Sequence, residues 1–187
     1  MDEIVKAALA KWPNVPNCYG WLGLDARGNW YMRDDRAQAA GPFAGGPATS
    51  KGALLKHDKL IAFIERNYES DEAGRWFFQN GPQRVYVELE ATPWIWRVAA
   101  DFSVTSHTGM AATVQRCLVD DEGRLYLDTT GGFGLVHTSD MVHAADAVER
   151  GLWKPQEVPA RELPVRYAYA PSPAQKQATT SEALLKQ

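Results

Sequence analysis

Cysteine is scarce in this 187-residue sequence: Cys18 and Cys117 are its only thiols, without a C-x-x-C partner or a neighbouring metal-ligand pattern. Neither is therefore read as a metal ligand. Cys117 alternates with Gln115 and Val119 in a strand-like run and is read as a buried free thiol. A field of positive charge is also missing. The formal net charge is −3, and the lysines and arginines are scattered rather than gathered in a polybasic run. Nucleic acid and anionic membrane surfaces are thereby excluded as expected partners. No apolar run approaches the roughly 20 residues that span a bilayer. The opening "MDEIVKAALAKWPNVPNC" carries acids where a secretory signal carries bases, and lysines break its apolar stretch. It is read as neither signal nor anchor, and the expected location is the cytoplasm. The phosphate-loop pattern, the dinucleotide spacing G-x-G-x-x-G and the G-x-S-x-G elbow are all absent. No cofactor is expected.

What is present suits a folded domain. Apolar residues make up 45% of the chain and charged ones 23%, enough of each for a core and a soluble surface. Seven tryptophans are many for this length. They are read chiefly as core, with Trp21, Trp30, Trp94, Trp96 and Trp153 also weighed as an aromatic binding surface.

Periodicity divides the chain into elements. Residues Ile4 to Trp12 carry apolar side chains at helical spacing, and Pro13 and Pro16 stop them. Trp21–Leu24 and Asn29–Arg33 read as strands of a hairpin, joined by Asp25-Ala26-Arg27-Gly28. A main helix is expected over about Lys51 to Tyr68, capped by Thr49 or Ser50. Asn80-Gly81 marks a further hairpin, whose loop Pro82 should lengthen beyond two residues. Trp94, Trp96, Val98, Ala100, Phe102 and Val104 share one face of a long alternating strand, and Ala112 to Asp120 returns as another. A second main helix is expected over about Ser139 to Arg150, ended by Gly151 and Pro155.

Two stretches read alike. "LDARGNWYM" (Leu24 to Met32) and "VDDEGRLYL" (Val119 to Leu127) share a hairpin recipe. Each precedes a glycine- and phenylalanine-bearing loop and a Thr-Ser pair suited to a helix cap. The expected fold class is α+β: antiparallel sheet with two main helices, arranged as two related β-hairpin–helix repeats, plus a short N-terminal helix. The expected organisation is one domain over residues 1–158, with half-repeats at 19–90 and 94–153. Residues 159–187 would form a proline-rich strap and flexible tail.

"TTGGFGLVHTSD" (Thr129 to Asp140) is the stretch richest in candidate site residues. Gly132, Gly134, His137, Ser139 and His143 are the candidate ligand-binding residues, and Asp140 lies between the two histidines. The glycines let the chain turn where a side chain would clash, and the hydroxyls and Asp140 satisfy free helix amides. An anion or metal role is disfavoured, because Asp140 would repel an anion and zinc sites use more closely spaced ligands. No metal is assigned and no catalytic residue is named.

"GRWFFQNGPQRVYVELEATPWI" and "GFGLVHTSDMVHAADAVERGLW" resemble segments of uncharacterised proteobacterial domain-of-unknown-function families. One such family has a repeated strand–helix motif and a suggested signalling or ligand-binding role. The resemblance covers Tyr19 to Trp153 by pattern and supplies no functional residues. This chain departs from it in its long glycine loop and its "ATP" step. The expected function is a non-catalytic ligand-binding or regulatory module for a small molecule or protein partner. The alternatives are a hydrolase or transferase using His137, Asp140 and His143, and an assembly subunit burying its aromatic face in a homodimer.

Overall fold

A computed structural model describes residues 1–175, which form two compact units. The first takes residues 1–25, 29–90 and 169 onward, and the second takes residues 26–28 and 91–168.

In the first unit, α1 (Glu3–Lys11) precedes β1 (Cys18–Leu24) and β2 (Trp30–Met32). Then come α2 (Asp35–Ala40), β3 (Ala53–Leu54), α3 (Asp58–Arg66), β4 (Tyr68–Ser70), β5 (Trp76–Asn80) and β6 (Gln83–Leu89). The sheet order is β3-β2-β1-β6-β5-β4, with β1 and β6 parallel and the remaining neighbours antiparallel. The registers put Leu22, Leu24, Trp30, Val87, Leu89, Phe78 and Tyr68 on one face, and all are buried. The amphipathic α3 packs there, with Phe63 edge-on to Phe78 at 5.4 Å and Ile64 buried. Burying each such large side chain contributes roughly 1.5–3 kcal/mol.

The other face of this sheet carries Gly23, whose missing side chain leaves room for the Phe43 ring. Beside Gly23 in the register lies the buried Glu88. Glu88 accepts hydrogen bonds from Ser172 Oγ at 2.5 Å and Ala174 N at 3.1 Å. Burial raises its carboxyl above the ordinary range, against those bonds and the Arg33 charge. The buried Arg33 donates to three backbone carbonyls, those of Ser50, Gly20 and Gly41.

In the second unit, β7 (Trp94–Val98), β8 (Val104–Ser106) and β9 (Ala111–Ala112) form one meander. A second meander comprises β10 (Val114–Val119), β11 (Leu125–Thr129) and β12 (Gly132–Val136). Then follow α4 (Met141–Glu149), β13 (Pro155–Glu157) and α5 (Leu163–Arg166). The order is β13-β10-β11-β12-β7-β8-β9, with β12–β7 and β10–β13 parallel. One face buries Trp96, Val98, Val104, Cys117, Leu127 and Val136 with Ala144 and Ala147 of α4 and with Trp153. Elsewhere in the unit Tyr126 and Phe133 stack at 5.6 Å, and Phe133 and Tyr167 at 3.7 Å.

These sheets overturn the expected fold class. Both are mixed rather than antiparallel, and among the described residues the helices are all short, at most nine residues. The expected helix over Lys51 to Tyr68 is shorter for a local reason. Gly52 has φ +80°, and a side chain there would overlap the Met32 carbonyl. The chain therefore pairs Leu54 with Tyr31 in β3 before α3 starts at Asp58. His57 Nδ1, not Thr49 or Ser50, caps α3 by accepting the Leu60 amide at 3.2 Å. The long strand expected over Trp94 to Val104 is a hairpin instead. Ala99 N–H meets the Ser103 carbonyl, and Phe102 turns the chain at φ +66°. The loop after Asn80 holds only Gly81 and Pro82, because Asn80 pairs with Gln83.

The expected pairing of hairpins is corrected as well. Leu24–Met32 and Val119–Leu127 do share a register: Leu24 faces Trp30, and Val119 faces Leu125. Their places in the sheets differ. Read outward from the parallel pair, β3-β2-β1-β6-β5-β4 corresponds to β9-β8-β7-β12-β11-β10. The β10–β11 hairpin thus occupies the position of β4–β5, and β1–β2 that of β7–β8. No helix recurs with the strands, since α3 joins β3 to β4 whereas Thr113 alone joins β9 to β10. The stretch after Pro159 contains a 3-10 turn (Ala160–Glu162) and α5. Residues 176–187 of the expected tail lie outside the described residues.

Candidate functional site

The glycine-rich stretch Thr129 to Asp140 runs through β12 into a 3-10 turn (Thr138–Asp140) ahead of α4. Gly134 faces Trp94 in the parallel pair with β7. A Cβ on Gly134 would overlap the Trp94 carbonyl oxygen and lie 2.7 Å from Trp96 Nε1. One on Gly132 would lie 2.9 Å from Trp94 Nε1, and one on Gly131 would lie 3.2 Å from Trp96 Cη2. The glycines therefore make the floor on which two indoles lie.

His137 is buried, its Nδ1 accepting the Ser139 amide at 3.1 Å and its own amide donating to the Trp96 carbonyl. It supplies the side-chain cap that the sequence suggested for Asp140. Asp140 instead reaches back to β7. It accepts from Arg97 Nε at 2.6 Å, Arg97 Nη2 at 3.1 Å and Val98 N at 3.1 Å. The Arg97 hydrogen bonds hold its carboxyl below the ordinary range despite burial. Ser139 is exposed, and His143 is half-buried on α4. Among the described residues no group of three His, Cys, Asp or Glu side chains could hold a metal.

Other acids are engaged in turns. Asp71 accepts from Ala73 N, Arg75 N, Arg75 Nε and Tyr86 OH. Asp120 accepts from Glu122 N, Arg124 N, Arg124 Nε and Tyr126 OH. Burial alone would raise both carboxyls, but these donors bring each below its usual value. The Asp71 turn escaped the sequence reading, although "DEAGRWF" repeats the pattern of "DDEGRLY". Burial also pushes the Cys117 thiol up to about 11, so it stays protonated at neutral pH and is a poor nucleophile.

An open groove of mixed lining, Asp101 among its residues, lies at the edge of the same core. Phe102, Val104, Ala112, Val114 and Trp153 line it, with Ser103, Thr105 and Thr113 among its polar rim, in a volume of about 460 Å³. A second opening of about 280 Å³ shares Val114 and Trp153 and extends past Cys117 and Leu152. Phe102 sits at the groove in the left-handed region, a conformation that costs a bulky residue of order 1–3 kcal/mol. Arg150 covers its ring at 5.1 Å to the centroid. The sequence put Phe102 in a continuous strand and gave no sign of this turn. A larger opening of about 780 Å³ is lined by Asp120, Asp121, Glu157 and Arg161. Asp120 there is fully engaged in its turn, and Asp121 accepts the Ala160 amide.

Mixed sheets, short helices and an aromatic-lined groove thus define a folded module in which Asp71, Asp120, Asp140 and His137 make hydrogen bonds within the fold. The model of a family named DUF2944, described as "Protein of unknown function (DUF2946)", matches residues 1–187, and the chain belongs to that family. No curated protein matches the chain. Among solved structures it is similar to a DUF1285 family protein from Silicibacter pomeroyi DSS-3. The identity is 14% and the TM-score 0.47, over 78% of this chain and 84% of that one. Among the described residues no helix is long and apolar enough to cross a membrane.

Proposed function

We propose that this protein is a non-catalytic binding module for a small, largely apolar ligand, held in the groove between Phe102, Val114 and Trp153. The observation that carries the reading is the left-handed Phe102 at the mouth of an aromatic-lined groove. Backbone strain of this kind concentrates where a fold presents a side chain to a ligand. The groove volume, about 460 Å³, falls within the range of pockets that take small molecules. Catalysis has less support. A nucleophile with a base in reach is the minimum for acyl or phosphoryl transfer. His137 Nδ1 is occupied by the Ser139 amide, and Asp140 by Arg97.

The test uses N-phenyl-1-naphthylamine, which fluoresces strongly only in an apolar site. Saturable enhancement by the full-length protein, lost in Trp153→Ala and Phe102→Gly while near-UV circular dichroism is retained, is the expected result. Enhancement that persists undiminished in both variants would remove the groove as the binding site.

A further inference from the structure

We infer that the junction of β12 and α4 is an acid-sensitive latch, closed while His137 is neutral and released when it takes a proton. The inference stands apart from the binding reading above. A backbone N–H can only donate, so the Ser139 amide, 3.1 Å from His137 Nδ1, requires a lone pair on that nitrogen. The ring is thereby held as the tautomer with its proton on Nε2. An imidazolium carries protons on both nitrogens and has no acceptor left. Protonation would therefore set two donors against each other. His137 is 8% exposed, so its ring does not reach water without a local opening.

The junction is tied to β7 at both of its ends. The His137 amide donates to the Trp96 carbonyl, and the Asp140 carboxylate accepts from the Arg97 side chain and the Val98 amide. Directly after it, α4 buries Ala144 and Ala147 in the cluster that holds Trp96 and Val98. One imidazole thus caps the turn that seats this helix on the central strand. The charges around it leave the neutral ring favoured. Asp140 attracts an imidazolium, but Arg97 and the Val98 amide already occupy its oxygens. Arg97 is the only charged residue of β7, and β12 has none. Continued by two residues, the Tyr126–Leu135 register brings Arg124 level with His137, and Arg124 is paired with Asp120. On α4 the nearest titratable residue in sequence is the half-buried His143. Each arginine offsets its own carboxylate, so burial and the Ser139 hydrogen bond decide, and both oppose the charged ring.

Hydrogen exchange of the α4 amides in the full-length protein, corrected for intrinsic rates, reads the latch. The opened junction frees an imidazole with the ordinary pKa of about 6.5, whereas the closed one excludes its proton. Stabilisation is then present above about pH 6.5 and lost as pH falls, so protection should drop by up to about tenfold between pH 7.5 and pH 5.5. In His137→Asn an amide oxygen takes the place of Nδ1, caps well and does not titrate. Its α4 protection should stay level over that range, while His137→Ala should be poorly protected at both pH values. Equal pH dependence in wild type and His137→Asn would refute the latch. Protection that rises on acidification would refute it too, since Asp140 would then be stabilising the imidazolium. The wild-type ring gives a second reading that needs no variant to fold. Its ¹⁵N–¹H correlations should show the Nε2-protonated tautomer at neutral pH and a titration below about pH 6.5. A proton on Nδ1, or a titration above that value, overturns the inference.

Discussion

Substituting Gly134 by alanine separates a packing role for the glycine stretch from a ligand-cradling one. The added Cβ would overlap the Trp94 carbonyl oxygen and stand 2.8 Å from the Trp94 carbonyl carbon and 2.7 Å from Trp96 Nε1. Two of those atoms are backbone of the very residue that Gly134 faces in the β12–β7 pair. Relief therefore requires prising two central strands apart. Overpacking costs typically about 1–3 kcal/mol, and neighbours this rigid put Gly134→Ala at about 3 kcal/mol or above. Gly123→Ala is the matched control. Gly123 has φ +78° but no atom within 4 Å of its Cβ position, so only backbone strain is added. That strain is about 1 kcal/mol. In a chain of this length 1 kcal/mol moves the melting temperature by about 2–4 °C, so drops of about 6–12 °C and 2–4 °C are expected. Thermal melts followed by near-UV circular dichroism, with urea midpoints as a second measure, give the comparison. If Gly134→Ala is no more destabilising than Gly123→Ala, the packing argument is wrong. The glycines would then need a ligand to explain them.

Asp120→Asn leaves Arg124 Nε and Tyr126 OH facing an amide that donates toward them, and should cost about 2–3 kcal/mol by urea denaturation. Asp71, Asp120 and Asp140 all have lowered carboxyls, so their stabilisation is present above the unfolded value of about 4. It disappears as pH falls through their folded values, and Asp120→Asn should flatten that acid limb. Glu88 has the opposite sign: its raised carboxyl contributes stability below about pH 4.3 that is lost as pH rises through the folded value. Glu88→Gln should therefore gain stability relative to wild type between pH 4 and pH 7, and an unchanged difference across that range would contradict the assignment. Asp140→Ala should lower the melting temperature by removing the Arg97 clasp, whereas His143→Ala should change it little. Equal losses would mean that His143 is more than half-buried decoration on α4.

Local chemistry was the legible part of this sequence. The Asp25–Gly28 turn follows from an aspartate that accepts the Asn29 amide at 2.8 Å and a glycine at φ +82°. The helix after Ser139 follows from apolar spacing ended by Gly151 at φ +73°. The parallel neighbours were not legible. The stretch that forms β12 reads instead as part of a glycine loop. Alternation says which face of a strand is apolar, as it does for β6 and β7. It does not say which strand lies alongside, and those pairs are set by residues far apart in the chain. Phe102 misled for a different reason. Its parity matches Trp94, Trp96 and Val98, yet the Ala99–Ser103 turn places it in a left-handed conformation that strand periodicity cannot register. For the candidate site, the glycines were noticed and their partners were not, because the indoles they accommodate lie about forty positions earlier on β7.

The tyrosines show why matching the repeat position by position gave the wrong pairing. Phe77 faces Tyr86 in the β5–β6 ladder, and Tyr126 faces Leu135 in the β11–β12 ladder. The hydroxyl has changed strands between the two pairs. It still reaches the same atom type, at 3.0 Å from Asp71 Oδ2 and 2.9 Å from Asp120 Oδ2. In both turns an arginine four residues on donates from Nε to that oxygen at 2.8 Å. What the turn demands is a fourth donor over a largely buried carboxylate, because an acid taken from water without enough hydrogen bonds would be costly. Either member of a cross-strand pair can meet that demand, since side chains facing each other on one sheet face stand within about 4.5–5.5 Å at Cβ. The constraint acts on a point in space rather than on a column of the sequence. A comparison made by columns therefore favours "NWYM" with "RLYL", where the tyrosines align, over "RWF" with "RLY", which hold like positions in the two strand orders.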